Sequence, residues 1–268
     1  MDVLNQREKL EKIDELPTTQ AEEESFFALL RDTYGVIDGF AGMFESALLV
    51  TRATSPPDIP ENHRQRFDRM FGPPIEKFLF SDSMLYYLSL NEQEGAVPTI
   101  RLHDLLFAAA SVFVGGLSDG NPARGGLDIG IAANFPRVGI YGPALYKAYK
   151  LESEIAQYPR VVVGPTLRDY LIASSVDPEG TKEAALRKDY ARKCLGLIYD
   201  DSDGVPALDY AGEEVRQTYP GLGQFIFKAR DFAQTELKRF EQEGNEKLSS
   251  RYLLLANYLS DRIGRFWE

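Results

Sequence analysis

The stretch IEKFLFSDSMLYYLSL, residues 75–90, holds two runs of strand length, Ile75–Phe80 and Met84–Leu90, parted only by Ser81-Asp82-Ser83. Aromatic and aliphatic runs joined by so short a polar link read as a β-hairpin with Asp82 at its tip. Upstream, Ser25-Phe26-Phe27-Ala28-Leu29-Leu30 is a further apolar run of strand length, ending in Arg31-Asp32-Thr33-Tyr34-Gly35. Val36 to Val50 then places Val36, Phe40, Met43, Phe44, Ala47 and Leu48 at helical spacing, although Gly39 and Gly42 weaken that helix. Asp32 is therefore expected to end the first strand, directly before a helix, and Asp82 to cap the hairpin made by the next two strands.

Downstream, Ile100 to Gly116 is almost continuously apolar and is expected to be a buried helix. Gly115 to Gly126 reads as a loop, Gly126 to Ala132 and Val138 to Tyr141 as short strands. Pro143 suits the first turn of a helix, and Ala144, Ala148, Leu151 and Ile155 follow at its spacing. Arg160 to Val163 is a β-branched strand. Between the first strand and this series, Thr54 to Pro60 reads as a Pro-rich turn and Glu61 to Met70 as an exposed helix containing His63. This βαββαβ-like order predicts an α+β fold: an antiparallel ferredoxin-like sheet with helices on one face. Beyond Gly164 come a helix from Thr166, a turn at Asp200 to Gly204, and helices from Gly223 to Glu243 and Ser249 to Phe266. The expected organisation is a charged arm or helix over 1–24, a core over 25–175 and a mainly helical C-terminal extension over 176–268.

Among 268 residues, 30 Lys and Arg stand against 41 Asp and Glu, a net charge of −11. That balance argues against broad contact with nucleic-acid backbones or anionic membranes. The single cysteine, Cys194, excludes an internal disulfide framework and any paired-cysteine metal site. The longest charge-free apolar stretch, Leu105 to Ser118, has about 14 residues where a membrane span needs roughly 20. The N-terminus is charged throughout, unlike a secretory signal. A cytoplasmic location is the expectation.

No GxxxxGK[ST] run is present, so a P-loop is excluded. The two histidines, His63 and His103, fall in different expected helices and support neither a zinc site nor a catalytic triad. Asp200-Asp201-Ser202-Asp203-Gly204 lacks the spacing and closing Glu of a calcium loop, so it reads as a solvated turn. Asp32 and Asp82 remain. On neighbouring strands, their carboxylates converge on one sheet edge and, with a backbone carbonyl, make an oxygen-rich site suited to Mg²⁺ or Mn²⁺. The turn Tyr34-Gly35-Val36 adds backbone N–H groups and a helix dipole for a phosphate. Spacing alone leaves the alternative that both aspartates are turn and N-cap residues.

Asp32-Thr33-Tyr34-Gly35-Val36 resembles the D-I-x-G-F turn of class III nucleotidyl cyclases, and Phe78 to Asp82 resembles their second metal strand. Arg124 to Gly130 is similar to their G-I-x-x-G strand, and Tyr141 to Glu152 to their W-G-x-x-V-N-x-A-x-R-x-E helix. Ser81-Asp82-Ser83, Gly142 to Glu152, Ala156 to Arg160 and Arg251 to Tyr258 look closer to a divergent bacterial branch. That branch includes the Pycsar pyrimidine cyclases of antiphage defence. The resemblance implies a homodimer with sites shared between subunits, in which Asp32, Asp82 and the Thr33 carbonyl hold two divalent metal ions. It puts Gly35, Val36 and Arg124 near substrate, Phe78 and Gly139 at the base-reading positions, and Tyr146 and Lys150 at the transition-state positions. Phe78 and Gly139 replace the purine-reading groups, so UTP, or else CTP, is the implied substrate, with a separate effector reading the cyclic product. Loss of those groups also fits the alternative, a catalytically inactive nucleotide-binding or dimerisation module.

Overall fold

A computed structural model describes residues 1–4, 16–53, 70, 74–91, 96–135, 139–176, 178 and 180–267. The expected Pro-rich turn at 54–60, and residues 61–69 of the helix with His63, lie outside them. Helix α1 runs unbroken over Gln20–Ala53. The strand expected over Ser25–Leu30 is therefore helix, and Asp32 lies in its middle. A capping box starts it: the Glu22 carboxylate accepts from the Thr18 and Thr19 amides, and Thr19 Oγ1 accepts the Glu22 amide at 3.3 Å. One continuous stripe then meets the core through Thr33, Ile37, Phe40, Phe44 and Ala47, all buried at helical spacing. Phe27 stays half exposed. The helical period, continued through the apolar run, outweighs that run's β character.

The described residues form an α+β fold. Strands β1 (Asp2–Val3), β2 (Glu76–Phe80), β3 (Ser83–Tyr87), β4 (Ala123–Leu127), β7 (Val161–Val163), β8 (Ile198–Asp200) and β9 (Pro206–Leu208) make one sheet in the order β2-β3-β1-β4-β7-β9-β8. β5 (Ala133–Phe135) and β6 (Gly139–Tyr141) form a separate hairpin. The large sheet is mixed, since β4 and β7 pair in parallel while the other pairs are antiparallel. β1 sits between β3 and β4, so Asp2 and Val3 belong to the sheet and not to a solvated arm. The C-terminal part is likewise more than helical, because it adds β8 and β9 to the same sheet.

Helix α2 (Pro98–Ser118) forms the core, with all but three of its residues buried. It is long and apolar enough to cross a membrane, at 21 residues, yet it is buried inside the protein. After it come α3 (Pro143–Lys150), continued by a π-helical turn over Leu151–Ile155, then α4 (Pro165–Ser175), α5 (Lys182–Gly196), α6 (Glu213–Thr218), α7 (Gly223–Gln242) and α8 (Glu246–Phe266). Helices α1, α5 and α7 pack around α2, and α8 lies along α7. Small residues set the closest approaches. A Cβ on Gly126 of β4 would lie 2.2 Å from the Ala148 carbonyl oxygen and 2.7 Å from the Leu151 Cβ. Helix α3 and its π-helical turn therefore rest on β4 only because residue 126 has no side chain.

Two buried ionic clusters fasten the C-terminal part. Arg160, buried before β7, donates to Asp201 at 2.6 Å and to both oxygens of Asp203, and Tyr158 donates to Asp201 as well. Asp209 accepts from Tyr258 and from Arg262 of α8, each at 2.8 Å, and the Trp267 indole donates to the Ala211 carbonyl. Gly126→Ala should lower stability by about 2–3 kcal/mol, the cost of overpacking a fixed contact, read as a shift in urea midpoint at unchanged slope.

Candidate functional site

The tip of the β2–β3 hairpin is a two-residue turn, Ser81-Asp82, closed by the pair Phe80 and Ser83. Ser81 has φ of +51°, the one positive φ outside glycine among the described residues. A serine there carries strain that glycine would not. β1 docks directly against this tip. The Val3 amide donates to the Asp82 carbonyl at 3.1 Å, and the Met84 amide to the Met1 carbonyl at 2.8 Å. The register then sets Asp2 opposite Ser83 on one side and opposite Arg124 on the other. The main chain thus brings Asp2 beside the Asp82 turn at one end of the sheet.

Asp2 is the residue that sequence reasoning passed over. Its only local signal is an aspartate between apolar neighbours, Met1-Asp2-Val3-Leu4, which the charged stretch behind it masks. A two-residue strand is too short to show period-2 alternation. Its place is fixed by the hydrogen bonds that β3 and β4 offer it.

Arg124 of β4 pairs with the buried Glu152 of the π-helical turn at 2.9 Å, which ties that turn to the strand beside Asp2. α3 carries Tyr146 and Tyr149 with their rings in solvent, and Lys150 pairs with Glu154, one turn on, at 3.8 Å. Phe78 lies on β2 opposite Leu85, half exposed. Gly139, with φ of +83°, begins β6 opposite Phe135 in the other sheet. Asn134 of β5 bridges the two hairpins, donating at 3.2 Å to both Glu76 and the Tyr87 hydroxyl. Every residue of β2 is exposed, Phe78, Leu79 and Phe80 included, so neither face of this edge strand is buried by the described residues.

Asp32, Thr33, Gly35 and Val36 do not form the expected turn. Their amides and carbonyls lie within helix α1, so they offer no helix N-terminus to a phosphate, and the Thr33 hydroxyl turns back to the Leu29 and Leu30 carbonyls. Asp32, Gly35 and Val36 line a shallow groove with Arg31, Asp119 and Asn121. Asp200 binds Arg168, while Asp201 and Asp203 hold Arg160; hydrogen bonding to that guanidinium keeps the Asp203 carboxyl below its usual range. What the sequence presents as a solvated acidic turn is therefore an anchor for a buried arginine. Among the described residues no group of three or more His, Cys, Asp or Glu side chains is placed to hold a metal ion. A pair of carboxylates completed by substrate phosphates is the arrangement Mg²⁺ commonly takes in place of an all-protein cage.

Ser81→Gly should raise stability by about 0.5 kcal/mol, the relieved strain less the added chain entropy of glycine, measured by thermal or urea unfolding. No family model, no curated protein and no solved structure matches this chain.

Proposed function

We propose that this protein is a metal-dependent nucleotidyl cyclase with a ferredoxin-like core, cytoplasmic and dimeric, that converts UTP, or else CTP, to its 3′,5′-cyclic monophosphate and pyrophosphate. The observation that carries the reading is the register of β1, which sets Asp2 next to Ser83 and against the Asp82 tip. Asp2 here takes the place in the site that the motif resemblance gave to Asp32. The resemblance of 78–82, 124–130 and 141–152 to class III cyclases supplies the reaction class, and that of the divergent branch the role in antiphage signalling.

Asp2 and Asp82 would hold two Mg²⁺ or Mn²⁺ ions, hard cations suited to carboxylate and phosphate oxygens. Those ions, when bound, acidify the ribose 3′-hydroxyl and offset charge on the α-phosphate. The chain's own part is positioning. Glu152 holds Arg124, which the strand register sets opposite Asp2, and a guanidinium there can meet a phosphate in two parallel hydrogen bonds. Phe78 offers an apolar face and no hydrogen-bonding group, which suits selection of a small base by size. Tyr146 and Lys150 are exposed on α3 and would reach the site of a second copy, in keeping with a shared active site. The uncovered apolar side chains of β2 would lie in the same dimer interface.

Asp82→Asn and Asp2→Asn should each lower cyclisation of UTP by on the order of a hundredfold or more, whereas Asp32→Asn should leave it near wild type. Product formation from each of the four NTPs in Mn²⁺ measures this. Full activity in the Asp2 variant, or loss confined to Asp32→Asn, would return the metal site to helix α1. No product from any NTP would leave the inactive nucleotide-binding module. Phe80→Lys should shift sedimentation from dimer to monomer and abolish activity with it; a fully active monomer would contradict the shared site.

A further inference from the structure

A second cavity lies away from the sheet end just described, between α2, α5, α6 and the C-terminal end of α1. Its volume is about 280 Å³, and every described residue lining it carries a polar side chain. One water occupies ~30 Å³ of liquid, so the space exceeds what a few waters need. The charges around it are unevenly matched. Asp104 pairs with Arg101 at 3.4 Å, and Lys193 pairs with Asp189 at 3.2 Å while lying over the Tyr190 ring. Among the described residues, the basic atom that pairs with Glu214 is His103 Nε2 at 3.6 Å, too far for a hydrogen bond, and Lys193 contributes only a longer-range attraction.

His103 is 6% exposed, and its Nε2 has no hydrogen-bond partner among the described residues. A buried polar atom left in that state destabilises the fold until a partner satisfies it. The Tyr190 ring meets the imidazole edge-on and holds its plane. In the tautomer that leaves Nε2 bare, the cavity presents a carboxylate and a nitrogen acceptor side by side, with the two carboxylates of Asp104 and Glu214 against the one ammonium of Lys193 on its lining.

We infer that this cavity binds a small primary ammonium compound, whose N–H groups are shared between Glu214 and His103 Nε2. An ammonium supplies the missing positive charge and at least two donors to two neighbouring acceptors. Gln217, on the same wall, can bond a hydroxyl or second amine farther along the ligand. A quaternary ammonium brings charge without donors, and a carboxylate brings the wrong sign. The site stands apart from the proposed cyclase chemistry and rests on none of it.

The test follows the imidazole of His103 in full-length protein labelled with ¹⁵N-histidine; His63 is the only other histidine, and His63→Gln assigns the two. Ethanolamine and putrescine should shift the His103 resonances in a saturable way and give ligand-to-imidazole NOEs, while tetramethylammonium and acetate should not. Glu214→Gln should weaken binding at least about tenfold, the loss of one charged hydrogen bond. If Glu214→Gln fails to fold, the NOEs to wild-type His103 decide the matter alone. No saturable shift with either amine, equal shifts from tetramethylammonium, or unaltered affinity in folded Glu214→Gln would overturn the assignment.

Discussion

Helix α2 cannot be left facing water on any side, and the rest of the molecule is arranged around that constraint. Leu102, Leu105, Leu106, Phe107, Val112, Phe113, Val114 and Leu117 point in all directions round its axis and all are buried. A helix apolar on every face needs cover on every face. α1, α5 and α7 supply much of it, and the small residues Gly115 and Gly116 let α1 come close, with Met43 and Phe40 lying where their Cβ atoms would be. β4 follows within five residues of the end of α2, so burial of α2 also fixes where the central strand begins.

Around that apolar axis, polar groups enter the interior only in matched sets. Arg160 is nearly inaccessible. Burial alone would weaken its hold on the proton, but the hydrogen bonds it donates to Asp203 and Asp201 more than offset this and raise its pKa. Asp209 shows the opposite balance, since burial raises its carboxyl pKa despite Arg262 and Tyr258. Both sets link segments distant in sequence, 160 with 201–203 and 209 with 258–262. They fasten the β8–β9 hairpin and the last helix to the sheet. Breaking one partner would strand a buried charge, so each set fixes a position more than it adds stability.

Much of the architecture was legible in order along the chain. The hairpin at 76–87, the buried helix after Pro98, the helix opened by Pro143 and the two closing helices all form where local pattern puts them. Each has a strong local signal: a short polar link between aromatic runs, unbroken apolar length, or a proline at the first turn. The misreading over 25–30 has a physical source. A short apolar run fits a buried strand or a helix face equally, and only contact with α2, through Phe40 and Met43 among others, decides between them. That one error moved Asp32 from a strand end to mid-helix and removed the glycine turn built on it.

By itself, the sequence determined which segments are apolar, where turns are forced, and that an aspartate would sit at the tip of the 76–87 hairpin. These follow from side-chain chemistry and spacing within a few residues. The tertiary structure alone decided what lies beside that aspartate. Asp2 comes to it across some 80 positions through the register of a two-residue strand, set by main-chain hydrogen bonds to Asp82, Met84 and Pro122. Backbone amides and carbonyls are the same in every residue, so such pairing leaves no mark in the side-chain pattern. The partners of Arg160 and of Arg124 were hidden for a related reason: an ion pair is fixed by where two elements meet, and neither side chain records the other's address.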